Sequence, residues 1–215
     1  MKLGIFLIAT CALHAENMKT PLLPRDREVA LALSAAPPAV AANAAVWVLE
    51  AHGYVKAREG SNGYACLVSR TDHPLDLTPV CHDQNGVETM VPEAMLRAEL
   101  RAKGLGEAEV KRRIGEAYAD GKLRIPKPGG ISYMVSTEGY TWNAEKNAKD
   151  PVPPHVMVYA PYATNASLGI DPARMPEIYR GGMPFIRHEG SPHAFIIILT
   201  PHWKPAPAAP AAGHH

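Results

Sequence analysis

The sequence predicts an α+β domain: an antiparallel sheet of about six strands, a helical hairpin packed on it, and one disulfide. Three observations carry this. Runs rich in β-branched and aromatic residues occupy 46–50, 54–59, 64–70, 131–135, 155–160 and 194–199; residues 92–121 repeat their apolar positions with helical spacing; and Cys66 and Cys81 stand 15 residues apart. With 215 residues, 47% hydrophobic and 20% charged, the chain suits one folded domain. Proline, at 21 residues, is about twice its usual share. A formal net charge of +1 gives no electrostatic case for nucleic acid or an anionic membrane.

At the N-terminus a single Lys2, the apolar run from Leu3 to Ala9 and the small Ala15 before Glu16 have the form of a signal peptide over residues 1–15. The apolar run is far short of the roughly 20 residues that span a bilayer, so cleavage near Ala15 leaves no transmembrane segment. A buried N-terminal strand is the other reading. Lipoprotein anchoring at Cys11 is disfavoured because Thr10 precedes it. The protein is therefore expected to be secreted or periplasmic. Once Lys2 is removed, the charges balance and Cys66 and Cys81 remain as the cysteines. In an oxidising compartment such a pair reads as a disulfide. Zinc, with His73, His82 and Asp83 nearby, and free thiols are the competing readings.

Residues 16–44 read as a polar, proline-punctuated linker with a short helix over 28–33, ended by Pro37-Pro38. Residues 39–45 are ambiguous between helix and extended chain. His52-Gly53 and the Gly60-Ser61-Asn62-Gly63 turn then join three strands into an antiparallel meander, Asn-Gly being a strong hairpin signal. Residues 71–88 look like loop. Pro92 suits a first helical position, Leu96 and Leu100 recur at i and i+4, and Gly104 suits the residue past the end; Val110, Ile114, Ala117 and Tyr118 form the face of a second helix. Basic and acidic residues intermingle along this hairpin, which is the pattern of a solvated face and not of a phosphate track. The apolar run 194–199 is expected centrally in the sheet, buried on both faces. Residues 162–182 carry turn formers with little periodicity. The domain spans 45–200, and residues 201–215 form a Pro/Ala-rich tail expected to be disordered.

For chemistry, His188-Glu189-Gly190-Ser191-Pro192-His193 is the nearest approach to a metal motif. Gly190 and Pro192 forbid a helix there, and a four-residue hairpin loop would instead set His188 beside His193. With His155 they make a candidate site for a divalent metal, a cofactor that is not favoured. No G-x-S-x-G elbow surrounds Ser167 or Ser191, and no P-loop or G-x-G-x-x-G occurs. His155, Met157 and Tyr159 alternate onto one strand face, with Tyr162 and Asn165 in the loop that follows. Two uses are open. Arg58, Asn62, Tyr159, Tyr162 and Asn165 line a small-molecule pocket, or His155 acts as acid or base with Glu189 in a small hydrolase or metal-dependent enzyme.

The stretch from Tyr54 to Val68, Pro79-Val80-Cys81, Pro154-His155-Val156-Met157 with Tyr159-Ala160-Pro161-Tyr162, and Glu189-Gly190-Ser191-Pro192-His193-Ala194 resemble a group of hypothetical exported bacterial proteins. The resemblance covers roughly 45–200. It implies export and a single domain, and it assigns no activity and no catalytic residue. The preferred reading is a domain of the cell envelope that binds a small molecule or an envelope component.

Overall fold

The computed structural model describes residues 20–174 and 182–204; the signal peptide at 1–15 and all but residues 201–204 of the tail lie outside them. Helix α1 (Arg25–Leu33) and the single turn α2 (Pro38–Ala41) lead into strands β1 (Ala45–Glu50), β2 (Gly53–Arg58), β3 (Ala65–Ser69) and β4 (Thr78–His82). Helices α3 (Gln84–Ala102) and α4 (Glu107–Ala119) follow, then β5 (Ile131–Met134), a separate hairpin of β6 (Tyr140–Asn143) and β7 (Ala148–Pro151), and finally β8 (His155–Tyr159), β9 (Phe185–Arg187) and β10 (Phe195–Leu199). The main sheet runs β2-β1-β3-β4-β5-β8-β10-β9. The fold is α+β with a disulfide, but the sheet has eight strands where about six were expected, because β4 and β9 join it.

The meander is not formed. β1 pairs antiparallel with β2 but parallel with β3, on its other side. The reason is a crossing of the chain at Gly60, where a Cβ would lie 2.2 Å from the Ala45 nitrogen. Besides the Tyr64 amide bond to Asn62 Oδ1, residues around the Asn62-Gly63 turn bond to the chain before β1: Ser61 N donates to Asn43 O, Asn62 Nδ2 to Val40 O, and Arg58 to the carbonyls of Ala41 and Ala44. β4 replaces part of the loop expected at 71–88. Its Pro79 is tolerated because β5 joins β4 only at Cys81 and His82, so Pro79 has a ladder partner on the β3 side alone.

Alternation along β3 divides the interior in two. Cys66 and Val68 face α1, whose Leu31 and Ala32 pack on them with Val46, Val48 and Cys81. Ala65 and Leu67 face α3 with Val80, Val91, Met157, Phe195 and Ile197. Cys66 and Cys81 are directly opposed on β3 and β4 and joined by a 2.09 Å S–S bond; closing this loop contributes on the order of 3 kcal/mol. α1 is further anchored by a buried ion pair in which the Arg70 guanidinium meets Glu28 at 2.7 Å, with the Leu49 amide also donating to that carboxylate.

α3 begins earlier than Pro92 suggested. Asp83 caps it, accepting from Gly86 N at 3.0 Å, while its other oxygen accepts from Ile131 N at 2.8 Å and so pins β5 to the helix start. Pro92 sits within the helix, and the Glu88 carbonyl that lacks its usual donor accepts instead from Arg124 Nη2. Only α3 of the helical pair lies on the sheet, over β2, β3, β4 and β5; α4 packs on α3 through Val110, Ile114 and Ala117 against Leu100 and Leu123. β10 is not central: it lies one strand from the edge, and while Phe195 and Ile197 are buried, Ile198 on the other face is 38% exposed.

The helix comes closest to the sheet at Gly86, where a Cβ would stand 2.0 Å from Tyr159 Oη and 2.7 Å from His82 Cβ. Gly86→Ala is expected to lower unfolding free energy by on the order of 1–3 kcal/mol in denaturant titrations. The control is Gly115→Ala on α4, with nothing within 4 Å of the added methyl, which should be neutral or stabilising by up to about 1 kcal/mol. Equal behaviour of the two variants would contradict the docking described.

A candidate binding cavity beneath helix α3

α3 runs from Gly86, against Tyr159, toward β2, where the Glu99 side chain meets Gly53. It thus covers one half of its sheet face and leaves the β8–β10–β9 half open. A cavity of about 350 Å³ occupies that space. Its floor is Met134, Met157, Phe185, Phe195, Ile197 and Leu199; one face of α3, Met90, Glu93, Ala94 and Arg97, forms the roof. The spacing of these four, i, i+3, i+4 and i+7, is that of a single helix face. His188 and His193 of the β9–β10 loop close one side, and Asp150 of β7 with Val152 and Pro153 just after it close another.

The charged groups of the wall are paired with one another. Arg97 holds Glu93 at 2.6 Å, Tyr118 on α4 donates to the same carboxylate at 2.7 Å, and Arg187 meets Asp72 at 3.2 Å. Asp76 accepts from the backbone amides of Asp72, His73 and Trp142. Asp150 is bound by Asn143 and Lys146. Burial alone would raise the Glu93 pKa, but His193, Arg97 and Tyr118 outweigh it and hold the carboxyl below its ordinary range.

The histidines are set in different tautomers. His82 Nδ1 lies 2.6 Å from Ser132 Oγ and 3.2 Å from Tyr159 Oη, and those two hydroxyls are 2.6 Å apart. Every arrangement that gives both hydroxyl hydrogens an acceptor makes Nδ1 an acceptor, so the proton of neutral His82 is on Nε2. His155 is the reverse: Nδ1 is 2.8 Å from the Pro153 carbonyl, which can only accept, so Nε2 carries the lone pair. Burial lowers the pKa of His155 and His188 and pushes that of His82 down to about 4, partly opposed by Glu93. His188 and His193 stand side by side, ring centroids 5.1 Å apart, but within a connection of residues 188–194 between β9 and β10 and not across the expected four-residue loop. His193 Nδ1 is 3.8 Å from Glu93 and has no hydrogen-bond partner.

The expected binding residues do not meet. Arg58 and Asn62 serve the chain crossing at Gly60, far from the cavity lining. Tyr159 is buried in the His82–Ser132 network, and Tyr162 is 57% exposed. Asn165 bonds Ile186 and the Glu189 carboxylate. Nor is His155 paired with Glu189. Cross-strand pairing sets His155 against Leu199 and Tyr159 against Phe195, so Glu189, beyond the Phe195 end, lies at the other end of β8. Its carboxylate is engaged by Asn165 N and Nδ2. His155, His188 and His193 all line the cavity, yet among the described residues no three His, Cys, Asp or Glu side chains are gathered to hold a metal ion. Glu93, Arg97 and Asp72 were missed, and His82 was weighed only as a zinc ligand beside Cys66 and Cys81. The signal was present for two of them, since Glu93 and Arg97 share the helix face of Met90 and Ala94.

Comparison with family models, with curated proteins and with solved structures finds no match for this chain.

The depressed pKa of His82 implies a pH dependence of stability with a definite sign. The unfolded chain takes up the proton near pH 6.5 and the folded chain only near 4, so stability is complete above about pH 6.5 and falls as pH drops toward 4. The contribution is on the order of 3 kcal/mol. His82→Asn, whose amide oxygen can replace Nδ1 as acceptor, should flatten that slope in denaturant titrations at pH 7, 6, 5 and 4. An unchanged slope would contradict the assignment.

Proposed function

We propose that this is an exported protein that binds an uncharged small molecule with an apolar body in the cavity beneath α3. The observation that carries the reading is the apolar floor between α3 and strands β8, β10 and β9, walled by charged side chains each held by an ion pair or by hydrogen bonds. An apolar ligand gains by covering Met157, Phe195 and Ile197. An anion gains little, because Arg97 and Arg187 each hold a carboxylate, and the buried histidines resist protonation. The His82 Nε2–H as donor and His155 Nε2 as acceptor supply two orienting hydrogen bonds. Secretion or a periplasmic location belongs to the same proposal, supported by the leader-like residues 1–15 and the Cys66–Cys81 disulfide.

The neutral fluorophore N-phenyl-1-naphthylamine should bind at pH 7.5 saturably, one per chain, at micromolar concentration. The anionic 8-anilinonaphthalene-1-sulfonate should bind at least tenfold more weakly. Val152→Trp, a loop change at the wall of the cavity, should abolish the signal while leaving the fold intact by circular dichroism. Binding that does not saturate, or that survives Val152→Trp unchanged, would overturn the proposal.

A further inference from the structure

We infer that the cavity floor is a site for a soft monovalent metal ion, Cu(I), held by His155 Nε2 and the thioether sulfurs of Met134 and Met157. The inference goes beyond the organic ligand proposed above and does not depend on it.

Strand register brings the three side chains together. Met134 on β5 is directly opposite His155 on β8, and Met157 follows His155 by two residues on the same strand face. All three line the cavity. Directly opposed side chains start from Cβ atoms about 5 Å apart, and residues i and i+2 of a strand are about 7 Å apart. The flexible Met side chains, each with three rotatable bonds, can bring their sulfurs to the edge of the imidazole between them.

The imidazole is prepared as a ligand. Its Nδ1–H is held by the Pro153 carbonyl at 2.8 Å, the type of hydrogen bond that fixes the ring and tautomer of metal-binding histidines. Nε2 is left with its lone pair, and among the described residues the ring's hydrogen bond is the one made by Nδ1. His82, the nearest alternative, is ruled out as a ligand by the same logic, because its Nδ1 accepts from a hydroxyl and its Nε2 carries hydrogen.

The donor set then selects the ion. Zinc and other borderline divalent ions call for several imidazole, thiolate or carboxylate ligands, and no such group of three exists among the described residues. One imidazole with two thioethers is a soft, neutral set of low coordination number, which suits Cu(I). Met90, reaching down from α3, adds a third thioether to the same cavity. Methionines also serve as ordinary space-fillers in apolar walls. What distinguishes these is the imidazole lone pair set among them.

The test is titration of the full chain with Ag(I), a redox-inert stand-in for Cu(I), followed by NMR of protein labelled at the methionine methyls. One equivalent should shift the methyls of Met134 and Met157, and the Nε2 resonance of His155. Competition for Cu(I) against bicinchoninate should show Met134→Leu and Met157→Leu each at least tenfold weaker than the parent. Leu matches Met closely in volume, so both variants should fold. Ag(I) titration and N-phenyl-1-naphthylamine binding are both read on the unsubstituted chain, so failure of the metal site is distinguished from failure of the organic site. Methyls of Met134 and Met157 unmoved by Ag(I), or undiminished Cu(I) affinity in the double variant, would overturn the inference.

Discussion

Contact between Gly86 and Tyr159 sets the geometry on which the rest of the molecule depends. At this point no side chain separates helix from sheet, and the Tyr159 hydroxyl occupies the volume a Cβ would need. The helix is fixed there twice over, since Asp83 both caps its first turn and accepts the amide that starts β5. From that anchor α3 crosses toward β2, and Arg101 reaches the carbonyl of Arg70 near its far end. A single helix so placed covers half of an eight-stranded sheet. Over the other half only the Met90–Arg97 face of α3 stands above the apolar side chains, and a cavity of about 350 Å³ lies between them, the kind of concave, mainly apolar space in which small molecules bind.

The polar wall follows from the same placement. Glu93 and Arg97 project from the edge of α3 into a region from which water is largely excluded, and burying either alone would be costly. They are buried together, with Tyr118 of α4 and the His193 ring completing the shell. His188 closes the adjacent side from a loop in which its own backbone takes φ 54°, as does Tyr162 at φ 62° across the Tyr162–Ser191 hydrogen bond. Non-glycine residues rarely hold that conformation, and those that do are concentrated at binding and active sites. The outcome is a cavity whose charged side chains are each engaged by an ion pair or, for Asp76, by backbone amides, with two imidazoles of opposite hydrogen-bonding sense, one donating and one accepting.

Much of the fold was legible in the residues. The strands at 46–50, 131–135, 155–160 and 194–199 follow from β-branched runs, and the pairing of α3 with α4 from apolar positions at helical spacing. The Cys66–Cys81 bond follows from a pair of cysteines in a chain with a leader-like start. What failed to show was long-range. Asn62-Gly63 has the local signature of a hairpin, and only the passage of Gly60 against Ala45 sends β3 to the far side of β1. β4 is hidden by Pro79 near its start, tolerable because pairing with β5 begins two residues later, at Cys81. The site was half legible. His155, His188 and His193 do line the cavity. Arg58, Asn62 and Glu189, polar residues of a kind that suits ligands, turned out to satisfy backbone carbonyls or a neighbouring Asn. Partner choice among such residues depends on contacts across 14 to 24 positions of chain, which local pattern does not encode.

That α3 leaves real space above β8–β10–β9 is tested most directly by filling it. Ala94 faces the cavity from the middle of the roof. The stability of Ala94→Phe, measured by denaturant unfolding, should stay within about 1 kcal/mol of the parent or rise, since a ring placed there meets open volume and buries apolar surface. A loss of roughly 1–3 kcal/mol, the usual cost of overfilling a packed core, would show that helix and sheet are already in contact there and would contradict the account.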